Sequence, residues 1–503
     1  MTLADVLDTL RALTTDASGV ESNARASQVS SVVYDSRRAT AGSVFVALRG
    51  LKADGTEFAR QAIERGALAI VSETERPAGV ATPWLVVDDA RLALALLADR
   101  VYDSPSRKMP VVGVTGTNGK TTTAYLLCAI LDAAGLRAGM LGTVAYRIAG
   151  EDREASRTTP EAPDVQQLLN EMLEHGSQSA VMEVSSHALS LKRVDGMRFA
   201  AGVFTNLTRD HLDFHEDMEA YFAAKRRLFE MLPDGAPAVI NLDDPRGASL
   251  VEIASRPVTY AINANADVMP GPIDMTLSGL RFDITTPKGV VRVTSRLVGR
   301  PNVYNILAAT ATAMSLDIPL DAVARGISNL QGVPGRFEVV SSDKDDVTVV
   351  VDYAHTDDAL RNLLETARPL TSGRLVTVFG CGGDRDRSKR PLMGMVAARL
   401  SDVVVITSDN PRSEDPKRII DEIERGIRAG TQASSRAPMV ESVVERADAI
   451  DRAVSIATGG DVVLVAGKGH EKYQEIGGRT FPFDDVAVAR EALNARRAGT
   501  RTG

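Results

Sequence analysis

Short apolar runs recur along the chain, and each gives way to a cluster of glycine and polar residues. Residues 111–114 have buried-strand character and lead into a Gly-rich turn, beyond which Leu126, Leu127, Ile130 and Leu131 fall at helical spacing. Before them, runs at 31–34 and 43–47 predict strands around a turn at 35–38, followed by a helix at 58–63 and a strand at 67–71. The middle repeats the pattern with strands at 180–184, 202–206 and 238–241, a less regular strand-rich stretch at 257–298, and a turn at 299 feeding a helix. The last third places strands at 347–351, 375–379, 403–407 and 462–466. Buried strands alternating with helices predict parallel sheets with crossovers. The expected fold class is α/β in three domains: 1–107; 108–338, with a mostly parallel P-loop sheet; and 339–503, doubly wound and Rossmann-like. Residues 102–110 read as a linker.

In such sheets ligands gather at the carboxyl ends of strands, and the polar clusters fall there. Val114 stands where a standard P-loop has its first glycine, yet strand, loop, Lys120-Thr121 and helix come in the required order. Backbone N–H groups of such a turn converge on phosphate oxygens, with the helix N-terminus adding its positive end. Lys120 reaches the terminal phosphates and the Thr121 hydroxyl ligates Mg²⁺. Gly116, Thr117, Asn118, Gly119 and Thr122 complete the cradle.

Glu183 lies among Val181, Met182 and Val184, where a lone carboxylate is costly to bury. A Mg²⁺ ligand is the preferred reading over a satisfied structural carboxylate. His211, between Asp210 and Asp213, reaches the same cluster if the sheet order allows. Lys225 falls within the apolar stripe of Met218, Tyr221, Phe222, Leu228 and Phe229. It either snorkels its ammonium to solvent or points its head into the site; spacing leaves both open. Asn302 and Asn305 either cap the helix after residue 299 or touch a nucleotide. Arg336, in the turn after Pro334-Gly335, suits a phosphate-facing cation on a hinge as well as an ordinary linker. Ser36 and the 50–54 loop hold a polar ligand or are surface turns. The last four strands lead into polar motifs at 352–355, 380–385, 408–412 and 467–471, but no G-x-G-x-x-G follows a strand, so no nicotinamide cofactor is expected. Five of the 6 histidines (187, 211, 215, 355, 470) lie inside these motifs, which favours a site over scatter.

Composition narrows the class. With 503 residues, 44% hydrophobic and 25% charged, the chain has the profile of a soluble globular protein with ample core. Its net charge of -8 argues against bulk nucleic-acid binding, so positive charge for anionic substrates must be local. Cys128 and Cys381 imply no disulfide framework. No signal peptide or membrane-spanning run is evident, and a monomeric cytoplasmic protein is expected.

Together the motifs resemble the Mur ligases, the ATP-dependent amino-acid-adding enzymes of bacterial peptidoglycan synthesis. The markers are 115–122, 158–161, 182–187, 206–215, 299–305, 334–336 and 352–355, with weaker matches at Ser36 and 51–53. Within that family, 409–412 with 467–471 is similar to the members that add the third peptide residue, meso-2,6-diaminopimelate. The resemblance implies a ligase that forms an amide through an acyl phosphate, releasing ADP and phosphate, with consequences for cell shape and division. It implies Mg²⁺ held by Thr121, Glu183 and His211, and by Lys225 once carbamylated, with Lys120 and Arg336 also catalytic. Asn302, Arg336, Asp352 and His355 match positions near ATP. Ser36, Leu51, Lys52 and Ala53 match uridine-side contacts, and Thr158, Thr159, Ser185, Leu191 and Arg193 match contacts to the UDP-N-acetylmuramoyl dipeptide. Arg390, Asp409, Asn410, Pro411, Arg412, Gly467 and Glu471 match diaminopimelate contacts. The Arg412 fork suits that substrate's second carboxylate, and lysine would leave it unpaired. Arg157, Leu191 and Asp357 depart from the family pattern, the last at a helix start. The rivals are a sibling ligase using lysine or making folate polyglutamates and, in another class, a P-loop ATPase without ligase activity.

Overall fold

The computed structural model describes residues 1–17, 20–21, 24–50, 53–432 and 437–500. Leu51 and Lys52 therefore lie outside the described residues. The P-loop strand Val111–Thr115 occupies the middle of an eight-stranded sheet. From one edge the order is Arg256–Tyr260, Pro237–Asn241, Ala201–Phe204, Val111–Thr115, Ser179–Glu183, Ala138–Leu141, Ala145–Ile148 and Glu151–Glu154. The first six strands are parallel, and the last two join as antiparallel neighbours. The ends of Val111–Thr115, Ser179–Glu183 and Ala201–Phe204 thus come side by side. This is the adjacency that the Glu183 and His211 readings required.

Helices Lys120–Ala133, Arg300–Ser315 and Leu320–Asn329 share a hydrophobic core with one face of this sheet and with the antiparallel strands Gly279–Thr286 and Gly289–Ser295. In Gly279–Thr286 buried and exposed residues alternate beyond the first position, as in a strand with one wet face. The strand-rich reading of 257–298 is this unit. The other sheet face packs on Val165, Leu169, Phe222, Leu228 and their neighbours.

The first hundred residues form a five-stranded sheet in the order Thr14–Asp16, Trp84–Val87, Ala69–Ser72, Ser43–Val46, Ser31–Val33, antiparallel only at Thr14–Asp16. The C-terminal sheet runs Glu338–Val339, Thr348–Asp352, Val462–Ala466, Leu375–Phe379, Val403–Ile406, Met439–Ser442, antiparallel only at its first pair. It is covered on both faces, as a doubly wound sheet must be. The stretch read as a linker contains the helix Pro105–Lys108, with Pro105 and Ser106 buried; the Ser106 hydroxyl accepts from the Arg198 N–H at 3.0 Å. Pro105 at the helix start and this contact turn a polar segment into packed structure. Among the described residues no helix is long and apolar enough to cross a membrane.

Candidate active site

The glycine turn is built to a close tolerance. Gly116 has φ +147°, and a Cβ there would lie 1.9 Å from Thr205 Oγ1. Gly119 has φ +89°, and its Cβ would lie 2.4 Å from Asn305 Oδ1. The Thr205 hydroxyl cannot swing aside freely, because it donates to the Asn118 carbonyl at 2.7 Å. Gly119 stands at the N-cap of Lys120–Ala133 without a side-chain cap, which leaves the helix's first N–H groups for a ligand. Gly116→Ala is expected to cost about 3 kcal/mol of stability and to weaken nucleotide binding at least roughly tenfold. Urea unfolding and nucleotide titration measure the two effects.

Lys120 Nζ donates to the carbonyls of Gly116 and Thr117, each at 2.9 Å. Asn118 and Thr117 are held by the segment after Ala201–Phe204: Asn118 N–H donates to Asn206 Oδ1 at 2.9 Å, and Thr117 N–H to the Asn206 carbonyl at 2.8 Å. Thr122 is buried in the helix's first turn.

Glu183 is 0% exposed, and its carboxylate accepts hydrogen bonds from Thr121 and Thr143. Thr121 Oγ1 donates to it at 3.1 Å, Thr143 Oγ1 at 3.0 Å and the Thr143 N–H at 2.8 Å. Thr143 was not legible in the sequence, because the preceding strand Ala138–Leu141 contains no β-branched residue. Among the described residues no three His, Cys, Asp or Glu side chains gather as a metal cage. Mg²⁺ needs no such cage, since it keeps several waters and takes one or two protein oxygens. The Thr121 hydroxyl against a buried carboxylate is a donor set that fits it.

Lys225 is 1% exposed, which removes the snorkelling alternative. Its Nζ donates to the Gly116 carbonyl at 2.7 Å and lies 4.4 Å from the Tyr221 ring centroid. Burial first, and the charge of Lys120 second, hold its ammonium well below the ordinary lysine range. His211 sits beside it, with its ring 4.8 Å from His187 and 6.0 Å from Tyr221. His187, His211 and His215 are all pushed down to about 4, burial being the largest cause for each. The three rings are therefore neutral at physiological pH.

The helix Arg300–Ser315 begins at Gly299, so neither asparagine is its cap. Asn302 Nδ2 donates back to the Val298 carbonyl at 2.7 Å, and Asn305 Nδ2 donates to Asn302 Oδ1 at 2.9 Å. This ladder sets Asn305 against Gly119.

Arg336 joins the P-loop to the C-terminal sheet. Its Nη2 donates to Thr121 Oγ1 at 3.3 Å, and its guanidinium lies 4.6 Å from the Tyr353 ring. Asp352 fixes this turn, accepting the Phe337 N–H at 2.7 Å and the Ala354 N–H at 2.8 Å. The Tyr353 ring then meets His355 at 4.6 Å and His470 at 4.9 Å. Contacts thus run from Thr121 to His470, the residue before Glu471. Arg209 adds a second link, donating to Ser388 Oγ at 2.9 Å and lying 3.8 Å from Asp357. Asp357 therefore does more than start its helix.

Thr158, Thr159, Ser185 and Arg193 collect beside Glu183. Thr158 Oγ1 lies 3.0 Å from Thr143 Oγ1, Thr159 Oγ1 donates to the Glu183 carbonyl at 2.8 Å, and Ser185 N–H donates to Thr159 Oγ1 at 3.1 Å. Arg193 donates to the Thr159 carbonyl at 2.9 Å and pairs with Glu161 at 2.7 Å, where Arg157 also reaches at 3.1 Å. Leu191 caps the helix Ser186–Ser190. Ser36 is apart from this group, donating to Gln61 at 2.6 Å, and Ala53 is exposed. The first unit meets the central one elsewhere, through Tyr34 and Arg38 on Asp164 at 2.9 and 2.7 Å.

In the C-terminal unit Asp409, Asn410, Pro411 and Arg412 follow Val403–Ile406, and Gly467 and Glu471 follow Val462–Ala466, with Leu375–Phe379 between the two strands. Arg412 has φ +52°, and its Nε pairs with Glu475 at 2.7 Å while Nη1 donates to the Gly383 carbonyl at 2.8 Å. Glu475 belongs to the hairpin Tyr473–Ile476/Arg479–Pro482, too short and polar to be read as strands. Arg390 departs from the expectation of a free ligand contact. It is 0% exposed, with Nη1 and Nη2 committed to Glu414, Glu422 and the Gly382 carbonyl. Burial of a guanidinium demands such partners, and it holds the 382–385 turn in place.

Comparison with known proteins agrees along the length of the chain. Family descriptions match as follows: "Mur ligase family, catalytic domain" at residues 28–102, "Mur ligase middle domain" at 114–313, and "Mur ligase, glutamate ligase domain" at 335–469. The UDP-N-acetylmuramoyl-L-alanyl-D-glutamate–2,6-diaminopimelate ligase of Solibacter usitatus is 50% identical over 469 residues, covering 93% of this chain and 94% of that one. The enzyme of the same description from Gloeobacter violaceus is 50% identical over 465 residues, covering 92% and 94%. A solved structure of a ligase of this description superposes with a TM-score of 0.69 at 34% identity, covering 99% of both chains. The strand order around the P-loop, the buried lysine beneath it and these full-length matches together establish that the chain belongs to the Mur ligase family.

Proposed function

We propose that this protein joins meso-2,6-diaminopimelate to UDP-N-acetylmuramoyl-L-alanyl-D-glutamate at the expense of ATP, in the cytoplasmic phase of peptidoglycan synthesis. The observation that carries the reading is the unbroken run of contacts from Thr121 through Arg336 and Tyr353 to His470, next in sequence to Glu471 of the Asp409, Asn410 and Glu471 cluster. A cleft of that form brings a nucleotide and an amino acid to one carboxyl group.

The D-glutamyl γ-carboxylate attacks the γ-phosphorus of ATP and displaces ADP, giving an acyl phosphate. The diaminopimelate amine then adds to the acyl carbon, and inorganic phosphate leaves. Phosphoryl transfer of this kind rests on positioning and charge neutralisation. The P-loop N–H groups and Lys120 hold the phosphates, and Arg336 faces them from the other side. Thr158, Thr159, Ser185 and Arg193 hold the muramoyl dipeptide next to Glu183. Mg²⁺, held by Thr121 and Glu183 with His211 nearby, supplies neutralising positive charge when bound. Lys225, buried and inclined to the neutral amine, is suited to add through Nζ to the carbon of CO₂, releasing one proton to solvent and leaving a carbamate whose negative charge faces the same site.

Omission of single substrates tests the reading. Phosphate release is expected only when ATP, the muramoyl dipeptide and diaminopimelate are all present, with lysine a poor substitute. Rapid hydrolysis of ATP alone would point to an ATPase, and glutamate-dependent release with a folate acceptor to the sibling ligase.

A further inference from the structure

Lys468 has no part in the chemistry above, yet it is among the most deeply buried charged groups of the chain, at 0% exposure. Its Nζ donates to Asn410 Oδ1 at 2.8 Å and stands 3.4 Å from Glu471 Oε2 and 3.5 Å from Asp409 Oδ1. Asn410 Nδ2 donates in turn to Glu471 Oε2 at 3.0 Å. Asp409 Oδ1 is buried and has no hydrogen-bond partner among the described residues.

We infer that Lys468 is the positioning residue of the amino-acid pocket, fixing Asn410, Asp409 and Glu471 so that they receive the ammonium group of an incoming α-amino acid. The inference rests on the ligase reading. Lysine is a donor only, so it takes the oxygen end of the Asn410 amide and turns the nitrogen end onto Glu471. Two carboxylates around one ammonium leave a net negative charge, and Asp409 Oδ1 keeps an unused acceptor for a second cation. The nearby Arg446 also lowers Asp409, but it is paired with Asp485 at 2.7 Å, so that pair adds little net charge to the cluster. Burial alone would raise Asp409, but Lys468, foremost among the surrounding cations, brings it below its ordinary value. Glu471 stays raised by burial and by Asp409, with Lys468 opposing both. Without the lysine the two acids would repel, and Asn410 Oδ1 would keep only the Glu475 N–H, which it also accepts at 3.0 Å.

Lys468→Met is expected to raise KM for diaminopimelate about 30-fold. The KM values for ATP and for the muramoyl dipeptide should move by less than about 3-fold, a split that a merely structural role would not give. Lys468→Gln retains a donor for Asn410 and is expected to show a smaller rise. If the methionine variant does not fold, the glutamine variant decides by the same split. A uniform change in all three KM values, or an unchanged KM for diaminopimelate, would overturn the inference. Wild-type turnover indifferent to diaminopimelate would remove the ligase reading itself, and this role with it.

Discussion

Lys225→Ala is expected to lower kcat by on the order of 10³-fold. The reasoning starts in the helix Met218–Glu230. Asp217 caps it through the Ala220 N–H, and Tyr221, Phe222, Leu228 and Phe229 bury its inner face. Lys225 lies on that same face, so its Nζ is carried beneath the glycine turn rather than out to water. A charged ammonium is disfavoured there, and the neutral amine is the form that can become a carbamate. Alanine removes both the group and its contact with the Gly116 carbonyl. It also leaves a space in which a short carboxylic acid can stand, so acetate or a related acid at high concentration is expected to restore part of the rate. Near-wild-type kcat in the alanine variant would mean that Lys225 only packs the turn.

Arg412→Ala is expected to reduce kcat/KM for diaminopimelate by roughly 10³-fold. The weak use of lysine should change by less than about tenfold, so the preference between the two amino acids collapses. In the structure this guanidinium lies on Glu475 and the Gly383 carbonyl and is partly open to solvent. A substrate carboxylate in a bidentate pose takes donors that lysine's terminal methylene cannot use. Glu475 retains solvent access, so the variant should fold normally, and thermal melting alongside the kinetics separates lost recognition from lost structure. Undiminished kcat/KM for diaminopimelate would place its specificity elsewhere.

The strands that carry the site were legible because they are uniform apolar runs ending in glycine or polar residues, as at 111–114 and 462–466. What joins them was not. Lys225 was ambiguous in sequence, since a stripe position fits both a snorkelling and an inward lysine; only the placement of the helix under Gly116 decides. Thr143 follows, and Glu475 lies on, a short and weakly patterned strand that gave no signal, although they fix Glu183 and Arg412. Arg390 was read as a ligand contact by its motif position, but Glu414 and Glu422 occupy two of its nitrogens, partners separated from it by 24 and 32 residues. Ion pairs of that range leave no local trace in a sequence. The segment 102–110 lies between the first two family matches, and the sequence did not reveal that it packs, because its partner Arg198 lies beyond the P-loop.

The chemistry of the cleft is tested most directly by following oxygen. A muramoyl dipeptide labelled with ¹⁸O in the D-glutamyl γ-carboxylate should deliver one labelled oxygen to each phosphate released during diaminopimelate-dependent turnover, because an acyl phosphate breaks at its carbon. Phosphate free of label would contradict carboxyl activation by ATP in this site.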